Sequence, residues 1–289
     1  MTALFALATA LLWGLADFGG GLLTRRMPAL TVVVASQAIA VVVLGAIVVA
    51  TGGWSEAGPQ LWYAVAAGVV GPVAMLCFYK ALALGPMGVV SPLGSLGVVV
   101  PVSVGLLIGD RPGLLQFAGI GVAIVGIVLA GGPELRGAPV QRQAVLLTLV
   151  AAFGFGSVMA LIAEASSTLT GLFLALFVQR VTNVAVGGAA LFVSVKRGGR
   201  ALPEDGGGVK VVLAALPALA FVGLADVAAN GTYSIAAQTG PVTVAAVLAN
   251  LYPVITALAA RGVLKERLRA VQAAGAGLAL VGTVLLATG

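Results

Sequence analysis

Ten stretches of almost uninterrupted apolar residues run along the chain, separated by short segments of glycine, proline and charge. Each stretch holds about 20 residues, which is enough for a helix to cross the ~30 Å hydrocarbon core of a bilayer. Most are apolar on every side, whereas an amphipathic surface helix keeps one polar face. The pattern therefore predicts ten transmembrane helices, at residues 3–22, 30–50, 61–84, 87–108, 114–131, 144–163, 169–195, 211–237, 242–260 and 268–287.

A two-helix unit occurs twice in this pattern. One copy begins at Gly85-Pro86 and reaches Asp110-Arg111, and the other begins at Gly240-Pro241 and reaches Glu266-Arg267. Beyond the charged pair the copies stay in register at a spacing of 156 residues. The matches that apolar composition alone would not produce are Gln116, Gly119, Gly121 and Gly126, which recur as Gln272, Gly275, Gly277 and Gly282. We infer an internal duplication.

The first two helices also have a later counterpart. Trp13-Gly14 and Gln37 fall 142 residues before Phe155-Gly156 and Gln179. Helices one to five then correspond to helices six to ten, with repeats at residues 1–137 and 138–289. Because five is odd, the second repeat must enter the bilayer in the opposite orientation. Inverted repeats of this kind are typical of secondary transporters, whose binding site lies near the membrane midplane between the repeats.

Composition excludes several classes of protein. Of all residues, 61% are apolar and 8% are charged, and the mean hydropathy is +1.16, which predicts an integral membrane protein. The chain has no histidine, and Cys77 is its only cysteine. An intramolecular disulfide, a zinc site and acid-base catalysis by histidine are therefore excluded.

The net charge of +6 indicates topology rather than nucleic-acid binding, because most basic residues fall in or beside short loops. One alternating set of loops, with the adjoining helix ends, contains thirteen lysines and arginines, and the other set contains only Arg111. The positive-inside rule then places both termini outside the cytoplasm.

The duplication, the Gly-Pro openings, Leu251-Tyr252-Pro253 and Lys265-Glu266-Arg267 together resemble the EamA type of the drug/metabolite transporter superfamily. The resemblance covers the whole chain and is closer in the second copy, since Gly97-Val98 stands where Tyr-Pro is expected in the first. It implies an all-α membrane protein of ten transmembrane helices, two inverted five-helix repeats around a central cavity, and secondary transport of small metabolites, often amino-acid export. It also implies cytoplasmic termini, in contrast to the charge count.

Polar residues inside the predicted helices are the candidates for a binding site. A charge at the bilayer centre costs at least ~2.5 kcal/mol and usually faces a cavity or a partner. Asp226, Asn230 and Tyr233 share one face of helix eight, and Trp13 and Asp17 share one face of helix one. We predict a substrate-binding site formed by Trp13, Asp17, Gln37, Gln179, Arg180, Asp226, Asn230, Tyr233, Asn250 and Tyr252.

Two interpretations of these residues remain open. In the functional one they line a cavity for an amino acid, whose ammonium meets Asp226 while its carboxylate meets Arg180 or an amide. In the structural one Asp17 or Asp226 forms an ion pair with Arg180, and the amides join helices, as polar residues in membranes commonly do.

A transporter is favoured over two other classes. A membrane-embedded enzyme would need a metal or nucleophile constellation, which the sequence lacks, and a channel usually forms its pore between symmetric subunits. We therefore predict no catalytic residues, no metal and no cofactor. The expected partners are a small-molecule substrate and the lipid bilayer, with no nucleic acid, and the expected unit is a monomer in the cytoplasmic membrane. Coupling stays open, because an intramembrane aspartate could cycle a proton whereas facilitated diffusion needs none.

Overall fold

The computed structural model describes residues 1–98, 100, 113–130, 141–166, 168–202, 208–239, 245, 248–249, 251–265 and 270–288. These residues form α-helices, two short 3-10 helices and connecting turns, and no strand occurs among them. The α-helices, numbered in chain order, are α1 (Thr2–Thr24), α2 (Ala29–Thr51), α3 (Leu61–Leu84), α4 (Met87–Gly94), α5 (Leu114–Ala130), α6 (Arg142–Ala165), α7 (Leu169–Lys196), α8 (Gly208–Thr239), α9 (Tyr252–Leu264) and α10 (Ala270–Thr288).

Six of these helices are long and apolar enough to cross a membrane, namely α1, α2, α3, α6, α7 and α8. At 1.5 Å per residue, the 23 residues of α1 span roughly 35 Å, which matches the thickness of a bilayer core. Leucine, valine and phenylalanine side chains remain exposed along their outer faces, as at Val42, Phe153 and Phe192. A helix bundle in a bilayer presents apolar side chains to the lipid and keeps small or polar side chains between its helices, as seen here.

The predicted fourth and ninth helices differ from the helices that the structure describes. The prediction for 87–108 was a continuous α-helix, but α4 ends at Gly94 and a 3-10 helix, Ser95–Val98, follows. Ser95 Oγ donates to the carbonyl of Pro92 at 2.7 Å, a local bond that competes with helical pairing. The rest of that segment, beyond residue 100, lies outside the described residues.

Within the ninth predicted helix, 242–260, the described residues 245, 248 and 249 are helical, Leu251 is a turn, and α9 begins at Tyr252. Pro253 therefore occupies the first turn, where a missing N–H costs little, instead of a mid-helix position where it would break a hydrogen bond.

The pattern of helix packing is nearly unchanged when the two halves of the chain are exchanged. Helix α1 packs on α8 and α9, and its counterpart α6 packs on α3 and α4. Helix α2 packs on α7, and α5 packs on α10. Each helix thus packs on the partners expected for a five-helix duplication.

Small residues allow these helices to approach closely. A Cβ added at Gly126 of α5 would lie 2.5 Å from the backbone nitrogen of Ala279 and 2.9 Å from the carbonyl oxygen of Gly275, both in α10. Without a hydrophobic driving force in lipid, such backbone contact is the main source of helix association.

The same kind of contact joins the first helix of each repeat to the fourth helix of the other. A Cβ at Gly14 of α1 would lie 2.7 Å from the carbonyl oxygen of Tyr252, at the start of α9. A Cβ at Gly156 of α6 would overlap the carbonyl oxygen of Gly97, in the 3-10 helix after α4. Gly14 and Gly156 are repeat counterparts, and so are Tyr252 and Gly97.

Candidate functional site

A buried polar cluster, formed by Gln37, Arg180, Asn183, Asp226 and Asn230, lies between α2, α7 and α8. Arg180 is 7% exposed, and its guanidinium donates from Nη1 to Gln37 Oε1 at 2.8 Å and from Nη2 to Asp226 Oδ2 at 2.5 Å. The cluster thus contains an ion pair within helices that cross the membrane. Two opposite charges that neutralise each other are far less costly there than either one alone.

Amide side chains complete the cluster. Asn183, one turn after Arg180 on α7, donates to the same Gln37 Oε1 at 3.3 Å. Asn230, one turn after Asp226 on α8, donates to the Asp226 backbone carbonyl at 2.7 Å and to its Oδ1 at 3.4 Å. The side-chain carbonyl oxygen of Gln37 therefore accepts two hydrogen bonds from α7, and the Asp226 carboxylate accepts one from Asn230 on the same helix.

Several buried polar atoms near this cluster have no hydrogen-bond partner in the part of the chain that the structure describes. They include two donors, Gln37 Nε2 and Arg180 Nε, and two acceptors, Gln179 Oε1 and Asn183 Oδ1. An unsatisfied buried polar group costs about 1 to 3 kcal/mol, so this grouping is unusual for a purely structural core. Water molecules or a polar ligand would satisfy these atoms.

An aromatic cluster lies beside the polar cluster and consists of Trp13, Tyr233 and Tyr252 from α1, α8 and α9. The Trp13 ring centroid is 5.9 Å from that of Tyr233 and 6.1 Å from that of Tyr252, with the second pair in an edge-on arrangement. Both distances are within the range in which aromatic rings attract each other. Tyr252 is held against α1 by Thr256, whose hydroxyl donates to the Gly14 carbonyl at 3.0 Å.

Asp17, one helical turn after Trp13, belongs to the same region. Its carboxylate is close enough to Asp226 for the two charges to interact, and it also interacts electrostatically with the side chains of Tyr79 and Tyr252. These neighbours come from α8, α3 and α9, so Asp17 faces the interior of the helix bundle. Tyr79, which is 4% exposed, also lies within electrostatic range of Arg180 and Asp226.

The structure thus brings together eight of the ten predicted residues, in two adjoining clusters around Asp17. Gln179 is buried at the contact between α7 and α3, where a Cβ on Gly68 would lie 2.7 Å from the backbone carbonyl oxygen of Gln179. Among the described residues, no hydrogen bond joins its side chain to the polar cluster. Asn250 lies outside the described residues. The charges of Arg180 and Asp226, which we expected to receive a substrate, bind each other, as in the structural interpretation of the sequence.

Tyr79 was missed by the sequence analysis, whereas Asn183 stood out as a polar residue of the predicted seventh helix but was not included in the predicted site. Tyr79 is followed by the exposed Lys80 near the end of α3, which made the position look peripheral. Its ring packs directly on Gly20 of α1, where a Cβ would collide with it. The run of three glycines at residues 19–21 of α1 was the available signal for a large partner.

No group of histidine, cysteine, aspartate or glutamate side chains in the described residues is arranged to hold a metal ion.

Comparisons with known proteins agree with this architecture. The model of the EamA-like transporter family matches twice, at residues 1–132 and 142–288. Among solved structures, one described as "Crystal structure of protein" has a TM-score of 0.63 and 18% identity, covering 99% of this chain and 96% of its own, which supports the fold alone. A search of curated proteins finds no match. With the family model matching both halves and six helices able to cross a membrane, the chain is a multi-pass membrane protein that belongs to the EamA-like transporter family, within the drug/metabolite transporter superfamily.

Proposed function

We propose that this protein exports amino acids across the cytoplasmic membrane by alternating access between two inverted five-helix repeats. The observation that carries the proposal is the convergence of carboxylate, guanidinium, amide and aromatic groups inside the helix bundle, from α1, α2, α7, α8 and α9. An amino acid carries an ammonium and a carboxylate on a partly apolar body. The two clusters offer groups complementary to all three parts.

The helix packing supports the alternating-access part of the proposal. Helix α1 packs on α8 and α9, and its counterpart α6 packs on α3 and α4. Helix α2 with α7, and α5 with α10, join equivalent helices of the two repeats. Two equivalent three-helix groups beside a shared scaffold can exchange conformations, so that the site opens first on one side and then on the other. Ten transmembrane helices, with repeats at 1–137 and 138–289, complete this arrangement.

Exchange of labelled substrate in proteoliposomes tests the proposal directly. Purified protein would be reconstituted and preloaded with one member of a panel of amino acids, nucleosides and sugars, and uptake of the labelled compound measured. Accelerated exchange of amino acids alone supports the proposal. Exchange restricted to sugars or nucleosides would assign the protein to another substrate class, and no exchange of any compound would contradict transport of these metabolites.

Variants then test the location of the site. Asp226→Asn and Tyr252→Phe should each reduce amino-acid exchange, whereas Tyr63→Phe should not, because Tyr63 is 46% exposed at the start of α3. Exchange rates are compared at equal amounts of monodisperse protein, so that a loss of folded protein is not counted as a loss of transport. Normal exchange in both site variants would place substrate binding elsewhere.

A further inference from the structure

The two aspartates of the site differ in how their charge is balanced. Asp226 is paired with Arg180, while no hydrogen bond or ion pair reaches the Asp17 carboxylate from the part of the chain that the structure describes. The other described charged side chains lie near helix ends or in the connections between helices, like the exposed Lys80, Glu164 and Arg200. When all three groups are ionised, the site carries one net negative charge, located on Asp17.

A charge of this kind inside a membrane is costly unless a cation accompanies it. The surroundings of Asp17 indicate which cation. Trp13 lies one turn before it on the same face of α1, and the rings of Tyr233 and Tyr252 stand about 6 Å from the Trp13 ring. Aromatic faces next to a carboxylate are the environment that binds an organic ammonium, because the ring quadrupole attracts the cation while the carboxylate neutralises it.

The aromatic cluster and the polar cluster differ in accessibility as well. Gln37 and Asn183 are each 1% exposed, so the part of the polar cluster between α2 and α7 is closed in this conformation. Asp17, Trp13, Tyr233 and Tyr252 are all partly exposed, although they are surrounded by α3, α8 and α9. These four side chains are thus more accessible than Gln37 and Asn183, and the Arg180–Asp226 pair need not separate for a ligand to reach them.

The duplication supplies an internal comparison for these residues. In the other copy, the counterparts of Trp13 and Tyr233 are Phe155 and Phe78, which also contact each other, with ring centroids 5.5 Å apart. The counterpart of Asp17 is Met159, and that of Tyr252 is Gly97. Helix packing at these positions thus needs only an apolar ring pair. Packing therefore does not account for the polar groups of Asp17, Trp13, Tyr233 and Tyr252.

We propose that Asp17, Trp13, Tyr233 and Tyr252 form a binding site for the ammonium group of the substrate, and that Asp226 remains the internal partner of Arg180. This assignment rests on the proposed function, because it gives the amino group of an exported amino acid its own site. It extends that function to amines that lack a carboxylate, which the site also binds.

Trp13 itself provides a direct test by fluorescence. The chain has three tryptophans, and Trp54→Phe with Trp62→Phe leaves Trp13 as the only one. Purified full-length protein of this kind is titrated with 2-phenylethylamine and, separately, with 2-phenylethanol, which differ only in an ammonium in place of a hydroxyl. We expect a saturable change in Trp13 emission, with the amine binding at least about tenfold more tightly than the alcohol, up to about 30-fold for a desolvated cation–π contact.

Three variants give the test its controls. Asp17→Asn should bind the alcohol as before and lose the preference for the amine. Glu164→Gln, the same change at an exposed carboxylate on α6, should keep the preference. If Asp17→Asn is not monodisperse, Tyr252→Leu decides, because it should weaken binding of the amine about tenfold and of the alcohol less.

Equal affinity for the two compounds, no saturable change, a preference that survives Asp17→Asn, or a preference that is undiminished in Tyr252→Leu overturns the assignment. These outcomes are separable from the proteoliposome experiment. If amino acids exchange but Trp13 shows no amine preference, the transport proposal stands and the ammonium site is wrong. If the amine binds in an Asp17-dependent manner and no amino acid exchanges, the site stands and the transport proposal is wrong.

Discussion

The Arg180–Asp226 pair makes a quantitative prediction about stability. Replacing Asp226 with leucine leaves a guanidinium that is 7% exposed with Gln37 Oε1 as its remaining described acceptor. Removing one partner of a buried ion pair costs about 3 to 5 kcal/mol. The Asp226 side chain is 22% exposed, so water can partly take its place. We therefore expect a loss near the lower end, about 3 kcal/mol.

Removing both charges should cost much less than the two single changes together. Arg180→Met alone leaves Asn230 Nδ2, at 3.4 Å from Oδ1, as the remaining described side-chain donor to the Asp226 carboxylate. In the double variant neither charge remains, and Gln37 Oε1 keeps the donor from Asn183. Replacing a whole buried pair by apolar residues is often close to neutral, so the double variant should lose at most about 1.5 kcal/mol, whereas the two single losses add to about 6 kcal/mol. The coupling between the two sites should therefore reach about 4 to 5 kcal/mol.

Thermal unfolding in detergent is the appropriate measurement. For a chain of this size, each kcal/mol corresponds to roughly 2 °C, so each single variant should unfold about 6 °C below the original protein and the double variant within about 3 °C of it. Unfolding of membrane proteins is often irreversible, and the midpoints must be compared at one scan rate. If the two single effects simply added in the double variant, the ion pair would not stabilise this fold, and the electrostatic argument for the polar cluster would fail.

Three further predictions concern packing and topology. Gly156→Ala should lower the unfolding midpoint by several degrees, because the added methyl group meets a backbone carbonyl, whereas Gly188→Ala, with open space around the new Cβ, should have no adverse effect on it. Thr9→Val removes the 2.9 Å hydrogen bond between the hydroxyl groups of Thr9 in α1 and Thr232 in α8. It should lower the stability by about 0.6 kcal/mol in the same thermal assay. A loss above about 2 kcal/mol would mean that the hydroxyl does more than join two helices. A reporter fused after Gly289 should be extracytoplasmic by the charge count, and a cytoplasmic signal would show that the basic loops do not set the orientation.

The helices were predictable where composition alone decides them. For α3 the prediction and the structure share both ends, Leu61 and Leu84, since the Gly85-Pro86 pair ends the apolar run without ambiguity. The end of α4 was not predictable in the same way. Its sequence stays apolar through Gly94 and Gly97, and only the local bond of Ser95 and the close approach of α6 change the helix type there.

The candidate site was predictable by residue type but not by partner. A charge in a transmembrane helix indicates an inward direction, which located Asp17, Arg180 and Asp226. Arg180 pairs with Asp226 and not with Asp17 because of how α1, α7 and α8 pack around its side chain. The hydropathy pattern does not contain this packing. Tyr79 was missed for a related reason, since its role follows from the position of α3 opposite Gly20.

The glycine contacts of α1 and α6 explain how two copies of one ancestral segment were able to specialise. At Gly14 and Gly156 any side chain would strike the neighbouring helix, so both copies have kept the same residue. Beside the side chains of Ile255 and Val100, the neighbouring helices contribute the carbonyl oxygens of Tyr252 and Gly97, and a carbonyl oxygen is supplied by every amino acid. One partner could therefore become a tyrosine, Tyr252, while the other remained a glycine, Gly97, without a change in the helix contact. A packing contact made by the main chain allowed one half of a symmetric scaffold to acquire its own chemistry.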